Sequence, residues 1–313
     1  MKIGLIDCDG HGFPNLPLMK LSAWHKQHGD SVEWYQPLLS DHLDRVYVSK
    51  VFSFTPDYEW PINADEIIKA GSGYCIETVN GKEIYHPEND RTLPDEIEHI
   101  YPDYSLYSEL TKDTSYGFLT RGCPRGCDFC HVASKEGRES IKVADLSEFF
   151  MGGVQKNIIL LDPNITACKE FPELAGQLID SNAWIDFTQG IDIRTMTDSK
   201  AELIKQMKVK RIHFAWDRYE DKGRIVEKFR LFRSVTGWDK NKMTVYVLTN
   251  FNTTFEQDLE RIYTLRDLGY HPDVRIYNKQ NLPKGHDLLK LQRWCNAPWI
   301  FYSCDRFEDY RRR

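Results

Sequence analysis

The sequence contains no long apolar run. A helix that crosses a membrane needs about 18 or more consecutive apolar residues, and no stretch of the chain approaches that length. The N-terminal apolar segment is interrupted by Asp7 and Asp9, too early for the apolar region of a secretory signal peptide. We therefore expect a cytoplasmic protein with no membrane partner.

A long basic segment with interleaved aromatic residues, typical of nucleic-acid grooves, is also missing apart from the tail Arg311–Arg313. The formal charge is −6, from 41 Lys and Arg against 47 Asp and Glu. Residues 1–110 carry 8 basic and 19 acidic side chains, a net of −11, whereas residues 111–313 carry 33 and 28, a net of +5. Nucleic acid is therefore not indicated as a partner, and the uneven charge is consistent with two domains that have different partners.

Cysteine is too sparse for a disulfide framework, because the 313-residue chain has only eight and shows no secretory feature. Three of the eight lie in one short loop, where Cys123, Cys127 and Cys130 have the spacing Cys-x3-Cys-x2-Cys. A [4Fe–4S] cluster has four irons and is usually held by four cysteines. Three thiolates on one loop can therefore hold three irons and leave the fourth open to an exogenous ligand.

The alternative for the same loop is structural zinc. Such a site normally has four protein ligands, commonly in two close pairs. His131 could complete a Cys3His set, but it directly follows Cys130, and adjacent side chains point apart in extended backbone. The spacing therefore favours the iron–sulfur cluster, with Cys123, Cys127 and Cys130 as its ligands.

The loop resembles the signature of the radical S-adenosylmethionine (SAM) superfamily, in which an aromatic residue precedes the last cysteine; Phe129 occupies that position. The resemblance implies that SAM binds the open iron through its amino and carboxylate groups. An electron from a reductant such as flavodoxin or ferredoxin would then cleave SAM to methionine and a 5′-deoxyadenosyl radical. We expect Phe129 to shield the cluster or to stack on the adenine.

From Tyr116 onward, a strand–helix rhythm repeats about six times. The candidate strands are Tyr116–Thr120, Asn157–Asp162, Trp184–Thr188, Arg211–Trp216, Met243–Leu248 and Val274–Tyr277. Strands that alternate with amphipathic helices imply an α/β fold with a parallel sheet. Six units are too few for a closed eight-stranded barrel, and the resemblance implies a partial (β/α)6 TIM-type barrel over residues 111–313, with a short C-terminal extension.

Residues 1–110 are predicted to form a separate domain and linker. The predicted elements are strands at Lys2–Asp7, Val32–Tyr35 and Arg45–Phe54, and helices at about Leu16–His28 and Ala64–Ala70. This alternation indicates an open, Rossmann-like parallel sheet. The stretch 61–110 is less regular, and we assign it as the junction to the second domain.

Polar side chains gather where the barrel strands are predicted to end, which is where parallel α/β architectures place their chemistry. The resemblance implies that these residues bind SAM. Asp162 or Asn164 would accept hydrogen bonds from its amino group, and Asp217 or Gln189 would bind its ribose. Arg194 would pair with its carboxylate. Each of these residues could instead be a helix cap or a turn residue.

The N-terminal layer resembles the cobalamin-binding domain that precedes the barrel in one class of radical SAM enzymes. The segment Asp9-Gly-His11-Gly-Phe-Pro14 is similar to the Asp-x-His-x-x-Gly loop of proteins in which the histidine ligates cobalt, although Pro14 stands where that loop has glycine. His11 is therefore a candidate cobalamin ligand. A loop histidine in a turn of this kind is more often structural or faces substrate.

Three function classes follow. The leading one is a radical SAM enzyme that abstracts hydrogen from an unidentified substrate, with catalytic residues beyond the cofactor ligands unknown. The second is a cobalamin-dependent radical SAM methyltransferase. The third is a non-enzymatic iron–sulfur sensor or electron carrier. Composition does not identify the substrate, and it leaves open an auxiliary cluster at other cysteines and the oligomeric state.

Overall fold

The computed structural model describes residues 1–79 and 82–310. Of Lys82 it describes the backbone alone. The chain divides into two compact units, Met1–Ile159 and Leu160–Arg313. The division lies further along the chain than the predicted boundary at residue 110. Contacts that span this boundary explain the difference: Tyr104 donates a hydrogen bond to the Phe149 carbonyl (2.6 Å), and the Lys135 ammonium pairs with Asp90 (3.1 Å).

The first unit is α/β. Its strands are β1 (Lys2–Asp7), β2 (Ser31–Trp34), β3 (Leu43–Ser49), β4 (Ala64–Ala70), β5 (Ile76–Val79), β6 (Lys82–Tyr85), β7 (Thr114–Gly117), β8 (Thr120–Arg121), β9 (Ile141–Lys142) and β10 (Asn157–Leu160), the last at the boundary. Its α-helices are α1 (Leu16–Gln27), α2 (Ser72–Cys75), α3 (Asp95–Glu98), α4 (Ser108–Thr111) and α5 (Val132–Lys135). Short 3-10 turns lie at Pro87–Asn89, Tyr104–Tyr107 and Leu146–Glu148.

Strands β1 to β4 form a parallel sheet in the order β2-β1-β3-β4. Helix α1 begins where the sequence predicts, because the Asn15 side chain accepts a hydrogen bond from the Leu18 N–H (3.2 Å) and Pro17 stands in the first turn, where no N–H is needed. It ends before Gly29. One face of the sheet packs on α1 through Ile3, Leu5, Leu18 and Leu21, and the other forms a second apolar cluster around Ile6, Val46 and Val48.

The predicted helix at Ala64–Ala70 is wrong, because this segment is strand β4. It pairs in parallel with β3, from Leu43 opposite Ala64 to Ser49 opposite Ala70. A single two-turn helix of seven residues is only marginally stable by itself. Pairing along the edge of the sheet satisfies the backbone groups of the segment and overrides its helix-forming composition.

The third predicted strand is shorter than expected, since β3 ends at Ser49 rather than Phe54. The residues that follow are irregular, and the Asp9 carboxylate holds them. It accepts hydrogen bonds from the Val51 N–H (2.5 Å), the Phe52 N–H (3.3 Å) and the Thr55 hydroxyl (2.6 Å). The aromatic residues after β3 therefore lie in a loop beside the carboxyl ends of the strands.

The second unit alternates strands with helices. Its strands are β11 (Trp184–Ile191), β12 (Lys208–Ala215), β13 (Met243–Thr249) and β14 (His271–Ile276). Its α-helices are α6 (Phe171–Asp180), α7 (Asp198–Gln206), α8 (Lys222–Thr236), α9 (Phe255–Asp267), α10 (Asp287–Asn296) and α11 (Pro298–Phe301). Short 3-10 turns lie at Ile165–Ala167, Ile193–Thr195, Tyr219–Asp221, Lys279–Asn281 and Phe307–Asp309.

The largest sheet has the strand order β14-β13-β12-β11-β10-β7, and β11 to β14 pair in parallel with their neighbours. Helices cover one face of β11 to β14. The Phe214 ring of β12, for example, meets Phe229 and Phe232 of α8 at centroid distances of 5.8 and 5.0 Å. The prediction of an α/β chain with parallel sheets is confirmed. No helix in the described part of the chain is both long and apolar enough to cross a membrane.

Candidate functional site

The three-cysteine loop belongs to the first unit, and an antiparallel ribbon holds its ends together. Strand β8 pairs with β9, with Thr120 opposite Lys142 and Arg121 opposite Ile141. The Glu136 carboxylate adds two bonds at the start of the loop, from the Arg121 guanidinium (3.2 Å) and the Gly122 N–H (3.1 Å). The segment between the two strands, residues 122–140 with helix α5, is therefore closed at its base.

Two glycines allow the loop to turn. Gly122 has φ +83° and Gly126 has φ +55°, in the left-handed region that residues with a Cβ rarely adopt. At Gly122, an added Cβ would also clash with the Glu139 carbonyl oxygen, well inside van der Waals distance. At Gly126 it would meet the Arg138 guanidinium. Gly122 therefore requires glycine for steric reasons, because the clash is with backbone, whereas at Gly126 the flexible Arg138 side chain can move away.

The loop brings the three thiols close enough to interact. Cys123 and Cys127 are partly buried and Cys130 has exposed surface. Desolvation by surrounding protein atoms nevertheless raises the pKa of the Cys130 thiol, and the nearby Cys127 and Cys123 raise this pKa further.

The thiols of this loop are not arranged as a finished metal site. Across residues 1–79 and 82–310, no group of three or more His, Cys, Asp or Glu side chains is placed to hold a metal ion. None of the eight cysteines forms a disulfide. Metal–thiolate bonds themselves draw such ligands together, because metal binding and local folding are coupled.

The residues beside the cysteines have structural partners. His131 forms a hydrogen bond through Nδ1 with Glu83 (2.8 Å). Helix α5, which follows the loop, is anchored through Lys135, whose ammonium also contacts the Ser72 hydroxyl (3.2 Å) and the Cys75 thiol (3.4 Å). Phe129 directly precedes Cys130 in the sequence, and its side chain is partly buried. The loop is thus attached to the β4–β6 region of its own unit on the side of α5.

In the second unit, the predicted SAM-binding residues follow the carboxyl ends of consecutive strands. Asp162 and Asn164 come after β10 and are 5% and 2% exposed. Asp217 comes two residues after β12 and is partly buried. Gln189 is exposed and lies within β11 rather than after it, because this strand extends to Ile191 with an irregular register.

Arg194 lies in the 3-10 turn after β11 and already has partners within the chain. Its Nε donates to Asp192 (2.7 Å) and its Nη1 donates to Asp221 (2.7 Å), and its side chain is 6% exposed. The turns after β10 and β11 are joined through Thr166 and Thr195, whose hydroxyls are 2.9 Å apart. The guanidinium therefore has a fixed position and orientation.

Sequence reasoning missed a row of polar side chains on the face of β11 to β14 opposite the helices. The row consists of Asp186, Thr188, Arg211, His213, Tyr246, Asp273 and Arg275. Each alternates with buried apolar residues such as Phe187, Phe214 and Val245, which point to the helix side. The signal that could have identified them is this period-two alternation, since a parallel strand buried on both faces is apolar throughout.

His213 is the centre of this row. Its Nδ1 lies 2.9 Å from the Phe187 carbonyl, which can only accept, so Nδ1 carries the proton and the neutral ring presents Nε2 as an acceptor. The ring stacks on Tyr246 (5.0 Å, 11°), and the Arg275 guanidinium lies 4.5 Å from the Tyr246 centroid. Burial lowers the pKa of His213, so the neutral form prevails near pH 7.

The Asp186 carboxyl faces this histidine. Its Oδ1 lies 3.8 Å from His213 Nδ1, and it is buried without a hydrogen-bond partner within the described residues. Burial raises the pKa of Asp186, and His213, Arg211 and Lys210 oppose that change. This face of the sheet is therefore polar and partly desolvated.

His11, the candidate cobalamin ligand, lies in the first unit beyond the end of β1. It is exposed, and its ring meets Trp34 edge-on at 4.3 Å and Tyr107 at 5.8 Å. It lines a cleft at the carboxyl ends of β1 and β2. Its role as a cobalt ligand stays a prediction.

Comparison with known proteins adds no relative. No protein-family model matches the chain, and no curated protein matches it significantly.

Proposed function

We propose that this protein is a radical SAM enzyme whose [4Fe–4S] cluster is held by Cys123, Cys127 and Cys130. The observation that carries the proposal is the closed loop between β8 and β9, where three thiols interact and residues 119–131 contain no fourth cysteine. A three-thiolate site leaves one iron without a protein ligand. That open position distinguishes this site from a four-cysteine electron carrier.

The architecture supports the same proposal. The six strands of the large sheet are adjacent in the order in which they occur along the chain. A sheet built by successive βα units in this sequential order is what a partial (β/α)6 barrel requires, whereas a doubly wound sheet reverses direction. The first four strands, in the order β2-β1-β3-β4, do reverse direction, and we assign them to a Rossmann-like layer.

With SAM bound, a reduced cluster of this kind supplies the electron that cleaves the sulfonium carbon–sulfur bond to give methionine and a 5′-deoxyadenosyl radical. In our proposal, Phe129 limits water access to the thiolates, and the buried Asp162 and Asn164 accept hydrogen bonds from the SAM amino group. Asp217 or Gln189 binds the ribose. Arg194 binds the carboxylate through Nη2, because its Nε and Nη1 are already used by Asp192 and Asp221.

The proposal is tested by anaerobic reconstitution with iron and sulfide, followed by reduction with dithionite in the presence of SAM. We expect about four irons per chain, a change in the electron paramagnetic resonance spectrum when SAM is added, and formation of 5′-deoxyadenosine without any added substrate. Cys127→Ala should abolish all three results. Cys304→Ala is the matched control, since the Cys304 thiol lies outside the loop and donates to the Arg306 carbonyl (3.0 Å).

A sensor or electron carrier would bind the cluster but would form no 5′-deoxyadenosine. Zinc bound in place of iron, or 5′-deoxyadenosine formation that survives Cys127→Ala, would overturn the proposal. A cobalamin-dependent methyltransferase would in addition retain a corrinoid after reconstitution with hydroxocobalamin.

Loop geometry gives a second, independent test. Gly122→Ala introduces both an unfavourable φ and a clash with the Glu139 carbonyl, whereas Gly237→Ala, at φ +70° after α8 in the other unit, introduces the unfavourable φ alone, with no heavy atom within 4 Å of the added Cβ. We expect Gly122→Ala to lose most of its iron and Gly237→Ala to retain it. Equal iron content in the two variants would show that the ligands do not depend on this loop conformation.

A further inference from the structure

A cleft of about 600 Å³ lies at the carboxyl ends of β1 and β2 in the first unit. Strand β1 is flanked by β2 on one side and β3 on the other, so the connection from β1 to β2 and the connection from β2 to β3 run in opposite directions across the sheet. In open parallel sheets, ligands bind in the crevice outside the strand ends at such a switch point. The volume is in the range of small-molecule sites.

Carboxylates dominate the charged lining of the cleft. It includes Asp7, Asp57 and Glu59, with His11 as the single basic side chain and no Lys or Arg. Asp57 is neutralised by the Lys69 ammonium (2.7 Å). Asp7 accepts hydrogen bonds only from neutral donors, the Tyr107 hydroxyl (2.7 Å) and the Asp9 N–H (3.2 Å), and neither Asp7 nor Glu59 has a Lys or Arg partner in the described part of the chain.

Aromatic rings form the remaining walls. Trp34 is the last residue of β2, and Tyr35 follows it. Tyr58 and Trp60 belong to the segment after β3, whose start is hydrogen-bonded to Asp9. Trp60 is 64% exposed at the rim. The faces of such rings attract cations, and Trp does so most strongly. Carboxylates beside aromatic faces thus favour a ligand that carries a positive charge on an apolar body.

Phosphate-bearing ligands do not suit this cleft. Nucleotide sites at such switch points place the phosphate on the open N-terminus of the first helix. Here the Asn15 side chain already caps α1, and Asp7 and Asp9 bring negative charge to the segment that precedes it. The net charge of −11 over residues 1–110 raises the local concentration of cations rather than anions.

We propose that this cleft binds a small organic cation, an ammonium group attached to an apolar or aromatic body, with the ammonium between Asp7 and Glu59 and the body against Trp34 and Trp60. The site is separate from the three-cysteine loop in its chemistry, and the proposal does not depend on iron–sulfur binding. It gives the acidic N-terminal layer a ligand class of its own.

Three probes with the same phenyl group and different charges test the proposal by isothermal titration calorimetry on the full chain. They are 2-phenylethylammonium, neutral 2-phenylethanol and anionic 3-phenylpropionate. We expect the cation to bind at least about tenfold more tightly than the alcohol, and the anion to give no measurable binding. Raising the salt concentration should weaken binding of the cation and leave the alcohol unaffected.

Two exposed residues allow variants that keep the fold. Glu59→Gln removes charge and Trp60→Ala removes an aromatic face, and we expect a threefold or greater loss of cation affinity in each. The matched controls are Glu96→Gln, an exposed carboxylate on α3, and Trp299→Ala, whose side chain is 76% exposed in the other unit. Both controls should bind the cation as the wild type does.

Equal affinity for the three probes, tighter binding of the anion, or no heat from the cation at about 10 mM would overturn the proposal. So would unchanged affinity in both Glu59→Gln and Trp60→Ala, because the probe would then bind elsewhere. Retention of hydroxocobalamin that blocks 2-phenylethylammonium, with no charge preference among the probes, would instead assign the cleft to a corrinoid.

Discussion

Arg261 on α9 holds the ends of two strands together, and replacing it should be among the most damaging single changes in the second unit. Its side chain is fully buried. Nη1 donates to the Trp216 carbonyl (2.6 Å) after β12, and Nη2 donates to the Leu248 carbonyl (2.7 Å) of β13 and to Asp258 (2.6 Å).

The cost of Arg261→Met follows from these contacts. Removing one partner of a buried ion pair typically costs about 3–5 kcal/mol, because the other charge stays buried and unpaired. The carbonyls of Trp216 and Leu248 also lose their donor. We take about 4 kcal/mol as the loss in free energy of unfolding, a large fraction of the 5–15 kcal/mol that stabilises a typical domain.

Hydrogen exchange measured by mass spectrometry provides the assay. A loss of about 4 kcal/mol should speed exchange in peptides from β12 and β13 by roughly a thousandfold. With a urea m value of about 2 kcal/mol per M, the unfolding midpoint should fall by about 2 M. Arg230→Met on the exposed face of α8 is the control and should shift the free energy by less than about 0.5 kcal/mol.

A double-mutant cycle separates the ion pair from the other bonds. Asp258→Asn alone leaves Arg261 buried without its carboxylate, and the combined variant removes both charges. We expect the combined loss to be smaller than the sum of the single losses by about 1–3 kcal/mol. Strict additivity, or a shift no larger than that of Arg230→Met, would refute the inference that Arg261 and Asp258 act as a buried pair that secures the strand ends.

Two further predictions concern titrating groups. Burial, with Lys240 and Arg211, lowers the pKa of His271 from 6.5 to about 4. As the pH falls, the unfolded chain therefore binds a proton at this histidine before the folded chain does. The free energy of unfolding should thus decrease between pH 6.5 and pH 4. In His271→Leu, the decrease in unfolding free energy across that pH range should be smaller by up to about 3 kcal/mol. Urea unfolding at several pH values measures this, and parallel curves for the wild type and the variant would contradict the prediction. Asp186→Asn should lower the pKa of His213 still further, because the carboxylate attracts the imidazolium; a nuclear magnetic resonance titration that shows an unchanged or higher His213 pKa would count against their interaction.

Much of the architecture was predictable because local signals agreed with the tertiary environment. The predicted strands of the second unit all occur within a few residues of their predicted bounds, since each carries buried apolar residues that largely alternate with polar ones, which is the pattern of a strand. Helix α1 has a cap, a first-turn proline and a terminating glycine in the sequence itself. The segment at Ala64–Ala70 had no such signal, and its partner β3 decided its conformation.

The candidate sites divide in the same way. The spacing of Cys123, Cys127 and Cys130 is a local property, and the sequence predicts their shared chemistry without knowledge of the fold. Asp186 and His213 are far apart in the chain, and only the parallel register of β11 and β12 places them on one face. Arg261 belongs to a helix whose apolar stripe is visible in the sequence, but its carbonyl acceptors come from two distant strands.

By itself, the sequence determined the α/β class, the strands of the second unit, the acidic N-terminal part and the spacing of the three cysteines. Each depends on residues that are close together in the chain, where spacing and periodicity act directly. Only the tertiary structure decided which polar side chains face one another, where the cleft opens and which buried charges are paired. Those features depend on strand register and on long-range packing, which bring together residues that no local pattern connects.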